Sequence, residues 1–146
     1  MSALSDYLEN KVIDWLLRGQ AFTPPATVYV GLVTVAENDA AGGTEVSGGS
    51  YARVAVTSSL ANWAGTQGAG TTVASTGTSG TTSNNNTITF PAPTANWGTI
   101  VGMGVWDAAS AGNLLFYAPL TVNKTVNNGD AAPSFAAAAL SFQIDN

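Results

Sequence analysis

Glu37, Asp39 and Glu45 are the residues of this chain whose type and spacing come nearest to a chemical site, because they are the only clustered carboxylates outside its N-terminal segment. Two such groups could act as acid and nucleophile, or acid and base, in glycoside hydrolysis, with Glu45 paired to Asp39 or Glu37. That chemistry needs the two carboxylates held at a fixed separation on rigid elements. Here they lie in and just before a glycine-rich connection, Gly42 to Gly49, so they are read as solvated loop acids. The chain has no histidine and no cysteine, which removes the usual base for a serine nucleophile, the thiol nucleophile, and the ordinary ligands of zinc or haem. Asn127-Asn128-Gly129-Asp130 offers oxygens to a calcium ion, but it lacks the alternating spacing and the terminal bidentate glutamate of a calcium loop, so it reads as a tight turn. No phosphate-binding fingerprint accompanies the many glycines. The expectation is therefore no catalytic residue, no cofactor and no metal.

The aromatic residues are the next candidates. Trp106 and the Phe116-Tyr117 pair lie inside strong β-patterned runs on either side of a hairpin connection, where cross-strand packing accounts for them. Trp63 and Trp97 sit beside asparagine, glycine and alanine, and are expected to be exposed at a contact surface.

Composition points the same way. Charged residues make up 9% of the chain, against about 25% in an ordinary globular protein. Neutral Ala, Gly, Ser, Thr and Asn must then form most of the surface, which suits packing against neighbours. The four basic residues, Lys11, Arg18, Arg53 and Lys124, are scattered through a chain of net charge −5. They cannot neutralise a track of phosphates, so no nucleic-acid partner is expected. No apolar run is long enough to span a bilayer and no basic segment precedes an apolar core, so neither a membrane partner nor a signal peptide is expected.

These readings constrain the elements. From residue 4 to 19, Leu4, Leu8, Val12, Trp15 and Leu16 recur at helical steps, with Tyr7, Ile13 and Leu17 widening the stripe. Ser5 can cap this helix, Asp6 and Glu9 suit its positive end, Arg18 its negative end, and Gly19 the left-handed position beyond it. Asp14 and Arg18 are spaced to pair. Burying each large side chain of the stripe is worth about 1.5–3 kcal/mol, so the helix is expected to dock on a sheet or on another subunit. After Pro24-Pro25 the pattern turns to β, over residues 27–57 and again over 87–146. Residues 61–86 between them form a low-complexity Gly/Ser/Thr/Asn stretch, expected to be a mobile loop, or an arm that orders against a neighbour, with Trp63 as its anchor. Seven to nine short strands and one helix predict a single domain, 1–146, with a mainly β architecture: an antiparallel β-sandwich or small barrel carrying one N-terminal α-helix.

Several stretches carry a likeness: Leu4-Ser5-Asp6-Tyr7-Leu8-Glu9-Asn10-Lys11, Thr23-Pro24-Pro25-Ala26-Thr27-Val28-Tyr29-Val30-Gly31-Leu32 and Gly43-Thr44-Glu45-Val46-Ser47-Gly48-Gly49-Ser50-Tyr51-Ala52-Arg53. The likeness continues through Thr94-Ala95-Asn96-Trp97-Gly98-Thr99, the Val105-Trp106-Asp107 hairpin with Gly112-Asn113-Leu114-Leu115, and Asn128-Gly129-Asp130 to Phe135. In these the chain resembles a family of small tailed-bacteriophage virion proteins, the tail-fibre-like and minor structural proteins. The resemblance implies a non-enzymatic structural component of the particle, assembled in the bacterial cytoplasm, and brings no catalytic residue with it. The expected role is capsid decoration or cementing, with the major capsid protein and further copies of the chain, such as a trimer, as partners. The alternative is a tail-fibre or adsorption protein that binds a host receptor or glycan. Leu4, Leu8, Val12, Trp15, Leu16, Trp63 and Trp97 are the expected interface residues.

Overall fold

A computed structural model describes residues 3–144. The chain is mainly β, with antiparallel sheets, one helix near its N-terminus and no closed barrel. The helix α1, Asp6–Arg18, forms as its local code predicts. Ser5 Oγ accepts from the Leu8 amide at 3.3 Å, and Gly19 takes φ +68° so that its amide reaches the Asp14 carbonyl. The expected Asp14–Arg18 pair is present at 3.0 Å. Leu4 lies outside the helix: with Ala3 it forms a short strand, β1 (Ala3–Leu4), whose backbone pairs before the cap turns the chain.

The main sheet is built on β2 (Thr27–Val35), β7 (Gly98–Trp106) and β8 (Leu114–Val126), with β1 at one edge. At the other edge β3 (Thr44–Glu45) and β4 (Val54–Thr57) lie end to end along β2, opposite Val33–Val35 and Thr27–Val30 respectively. Two small sheets complete the fold: β5 (Thr81–Ser83) with β10 (Ser141–Gln143), and β6 (Ile88–Thr89) with β9 (Ser134–Phe135). Their Ile88, Phe135 and Phe142 pack with Val30, Leu32, Ile100, Met103 and Val105 of the large sheet, so the core lies between the two layers. Side chains alternate across a strand. Val33 and Trp106 therefore face the other side, where Leu114, brought round by a register shift between the pairs Val105–Phe116 and Trp106–Leu114, completes a second, smaller cluster.

That outer cluster depends on two glycines. Gly31 and Gly104 are register partners in β2 and β7, and the Trp106 ring lies over both. A Cβ at Gly104 would stand 2.4 Å from Trp106 Cη2, and one at Gly31 2.7 Å from its Cζ3. The strand β8 is a single long element. Ile100 faces Lys124 while Gly102 faces Pro119, so the register shifts sharply and the intervening residues of β8 bulge out. Val122 is exposed there.

The low-complexity stretch is tied together by side chains bonding to backbone. Thr71 Oγ1 receives the Gly65 amide at 2.8 Å, Gln67 Oε1 the Thr76 amide, and Thr66 Oγ1 the Gly77 amide. Trp63 forms an isolated bridge with Asn84. Buried Asn84 is the hub of the C-terminal segment: its amide nitrogen donates to the Asn86 and Ala136 carbonyls and its oxygen accepts from the Leu140 amide.

Candidate functional site

The helix α1 is anchored at its base. Ser5 is buried, its amide donates to the Leu115 carbonyl and its hydroxyl donates to the Leu114 carbonyl, tying the helix to β8. The Asp6 amide donates to the Asp39 carbonyl, and the Asp39 carboxylate accepts from the Tyr117 hydroxyl. That bond pushes the Tyr117 phenol up to about 12, since ionising it would place two anions together. Leu8 is the buried side chain of the helix. Above it the helix leaves the body, and Val12, Ile13, Trp15, Leu16 and Leu17 are all exposed, the last three at 56%, 66% and 77%.

At about 100° per residue these five side chains follow one another around the helix in the order Trp15, Val12, Leu16, Ile13, Leu17, over an arc of about 200°. Lys11, Asp14 and Arg18 occupy the remaining side, with Lys11 5.6 Å over the Tyr7 ring. An amphipathic helix that docks on its own protein shows an apolar stripe of roughly 100°. In this chain the stripe is twice as wide and the body covers little of it.

The two tryptophans expected at the surface behave differently. Trp97 is 5% exposed, and its indole nitrogen donates to the Gly49 carbonyl at 2.9 Å, with Tyr51 edge-on at 5.3 Å. It belongs to the core and is withdrawn from any surface site. The polar neighbours that made it look exposed serve a turn: Asn96 accepts from the Asn128 amide. Trp63 is half-buried, with its ring 5.9 Å from that of Phe142. Leu4 is also half-buried, in the β1–β8 pairing.

The three loop acids each have a different structural partner. Glu37 receives the Gly43 amide at 2.9 Å, and Asp39 receives Tyr117. Glu45 grips Arg53 with both oxygens, each at 2.8 Å, and also accepts from Tyr51, whose hydroxyl in turn accepts from the Leu32 amide. Burial drives the Tyr51 phenol far above its usual range, against the help of that amide. The guanidinium of Arg53 also donates to the Ala108 and Ala111 carbonyls and lies 4.0 Å over the Trp106 ring. Sequence reasoning missed this node. Its signals were the alternation of Tyr51 and Arg53, and an arginine set in the β-patterned part of a nearly uncharged chain.

Among the described residues no three acids gather to hold a metal, and no buried side-chain polar atom lacks a partner. The Asn127–Asp130 segment is a turn, closed by the Asp130 carboxylate on the Asn127 amide at 2.8 Å. A cleft of about 490 Å³ lies beside the β8 bulge between Leu120, Val122, Phe135 and Phe142. Lys124 is the charged residue among those lining it, so no set of polar groups converges there as a substrate site would require.

No curated protein matches the chain. A family model described as Podophage GP4 fiber I protein gp80 matches residues 3–143, nearly the whole chain and every element described above. The chain therefore belongs to that family of phage fibre-type structural proteins, components of the virion.

Proposed function

We propose that this protein is a non-enzymatic fibre subunit that joins the particle through α1 and holds its β body outward. The carrying observation is the run of five exposed apolar side chains on the last two turns of a helix rooted at its base. A surface of this kind on a monomer marks a protein contact. The fibre reading, which the family name favours, replaces capsid cementing as the leading one. The rest of the surface supports it: neutral, charge-poor and built from closed hydrogen-bonded loops, it offers no reactive group and tolerates close packing.

The test is the position of the chain in intact particles, read by cryo-electron microscopy of wild-type phage and of phage carrying Leu16→Asp. Density confined to fibres, and lost from them in the variant, is the expected result. Density repeated over the capsid lattice would overturn the fibre assignment and restore cementing.

A further inference from the structure

We infer that the cleft beside the β8 bulge binds an aliphatic chain with one anionic head, the chemistry of a fatty-acid anion. The inference goes beyond the fibre assignment and stands on the cleft and on one lysine.

The bulge makes the cleft. Between the pairs Ile100–Lys124 and Gly102–Pro119, residues 120–123 of β8 stand opposite Val101 alone, and the strand swings away from the sheet. Two lobes of open space result, of about 490 Å³ and about 210 Å³, and Leu120, Phe135 and Lys124 line both. Buried Met103, Leu140 and Phe142 form the floor of the larger lobe, and exposed Val122 and Lys124 stand at its mouth. A volume of this order, with mostly apolar walls and few polar groups, is that of a small-molecule pocket.

The charge at the mouth sets the class of ligand. Lys124 is the charged residue lining the two lobes. Among the described residues the other bases are engaged, Arg18 with Asp14, Arg53 with Glu45 and Lys11 over the Tyr7 ring, while Lys124 meets no acid, acceptor or ring. Asp130, the nearest acid in the sequence, is turned onto the Asn127 amide. A single cation is too little to orient a reacting substrate, and enough to hold one anionic head while the tail lies on the apolar floor. The net charge of −5 favours cations everywhere else on the surface, so a preference for an anion at this cleft can come only from Lys124.

The experiment is isothermal titration calorimetry of the full-length protein with octanoate, decanoate and decylamine, each below its micelle-forming concentration. Decanoate is expected to bind more tightly than octanoate, by about fourfold for each methylene added, and more tightly than decylamine. Lys124→Glu is expected to reverse that last order, so that decylamine binds the variant better than decanoate does. Lys124 is exposed, and an unchanged near-ultraviolet circular dichroism spectrum confirms that the variant folds. Co-sedimentation with phosphatidylglycerol vesicles identifies the source of the chain. Retention of the wild type that Lys124→Glu abolishes assigns it to a bilayer lipid, and binding of decanoate without retention assigns it to a free fatty-acid anion. Absence of binding by decanoate, equal affinity for octanoate and decanoate, or an order that Lys124→Glu leaves unchanged would overturn the inference. None of these results bears on where the chain sits in the particle, so the fibre assignment stands or falls separately.

Discussion

At the scale of single residues, Arg53 holds a buried charge that its neighbours must satisfy. Its side chain is 5% exposed and satisfied by both oxygens of Glu45 and by two hairpin carbonyls, over the face of Trp106. A desolvated ion pair of this kind contributes little net stability compared with apolar packing, but removing one partner strands the other. Arg53→Ala leaves a half-buried carboxylate and two unpartnered carbonyls. It is expected to cost about 2–4 kcal/mol, read as a fall in the urea midpoint with little change in slope. Arg53→Lys should recover only part of that loss, because an ammonium cannot reach the carboxylate and both carbonyls in one plane. The same node answers the question raised by the acids: Glu45 fixes a hairpin to the β2–β4 region. Trp97 teaches the converse lesson. Its burial depends on a carbonyl 48 residues away, and nothing in the residues adjoining it carries that information.

At the scale of elements, what was legible in the sequence was what is encoded locally. Ser5, Asp6, Glu9, Arg18 and Gly19 each mark an end of α1, and each sits where the capping and dipole rules place it. Strands β2 and β7 follow their apolar runs closely. The β8 bulge was not legible, because register is a property of two strands and neither sequence alone contains it. The two-residue strands β1, β3 and β9 were equally silent, being too short to show a period. The low-complexity stretch has no pattern to read because its ties run from Thr, Gln and Ser side chains to backbone. Ser5 joins the local and the distant, capping the helix and bonding to Leu114 at once. Ser5→Ala is therefore expected to cost about 1–2 kcal/mol, the upper range for a cap, and to lower the melting temperature by about 2–8 °C. A calorimetric scan checks it, and Ser5→Thr, which keeps the hydroxyl, should lose less.

At the scale of the whole molecule, the sparse charge decides how the subunit can associate. Nine acids and four bases give each chain a net charge of −5, so neighbouring copies repel at long range. An interface built on ion pairs would have to overcome that repulsion and would weaken as salt screened it. An interface built on Trp15, Leu16 and Leu17 has the opposite dependence, since salt suppresses the repulsion and leaves the apolar burial intact. Raising sodium chloride from about 0.1 M to about 1 M shortens the screening length from about 10 Å to about 3 Å. Over that range a contact made through α1, followed as co-sedimentation of the full-length chain with phage particles, is expected to hold or tighten, and sulfate should tighten it further by strengthening apolar burial. A tenfold weakening would mean that charged groups carry the contact, and Lys124, which flanks the β8 bulge, is the base outside α1 and the Arg53 node. The bulge beside the 490 Å³ cleft would then be the surface to mutate, in place of the helix.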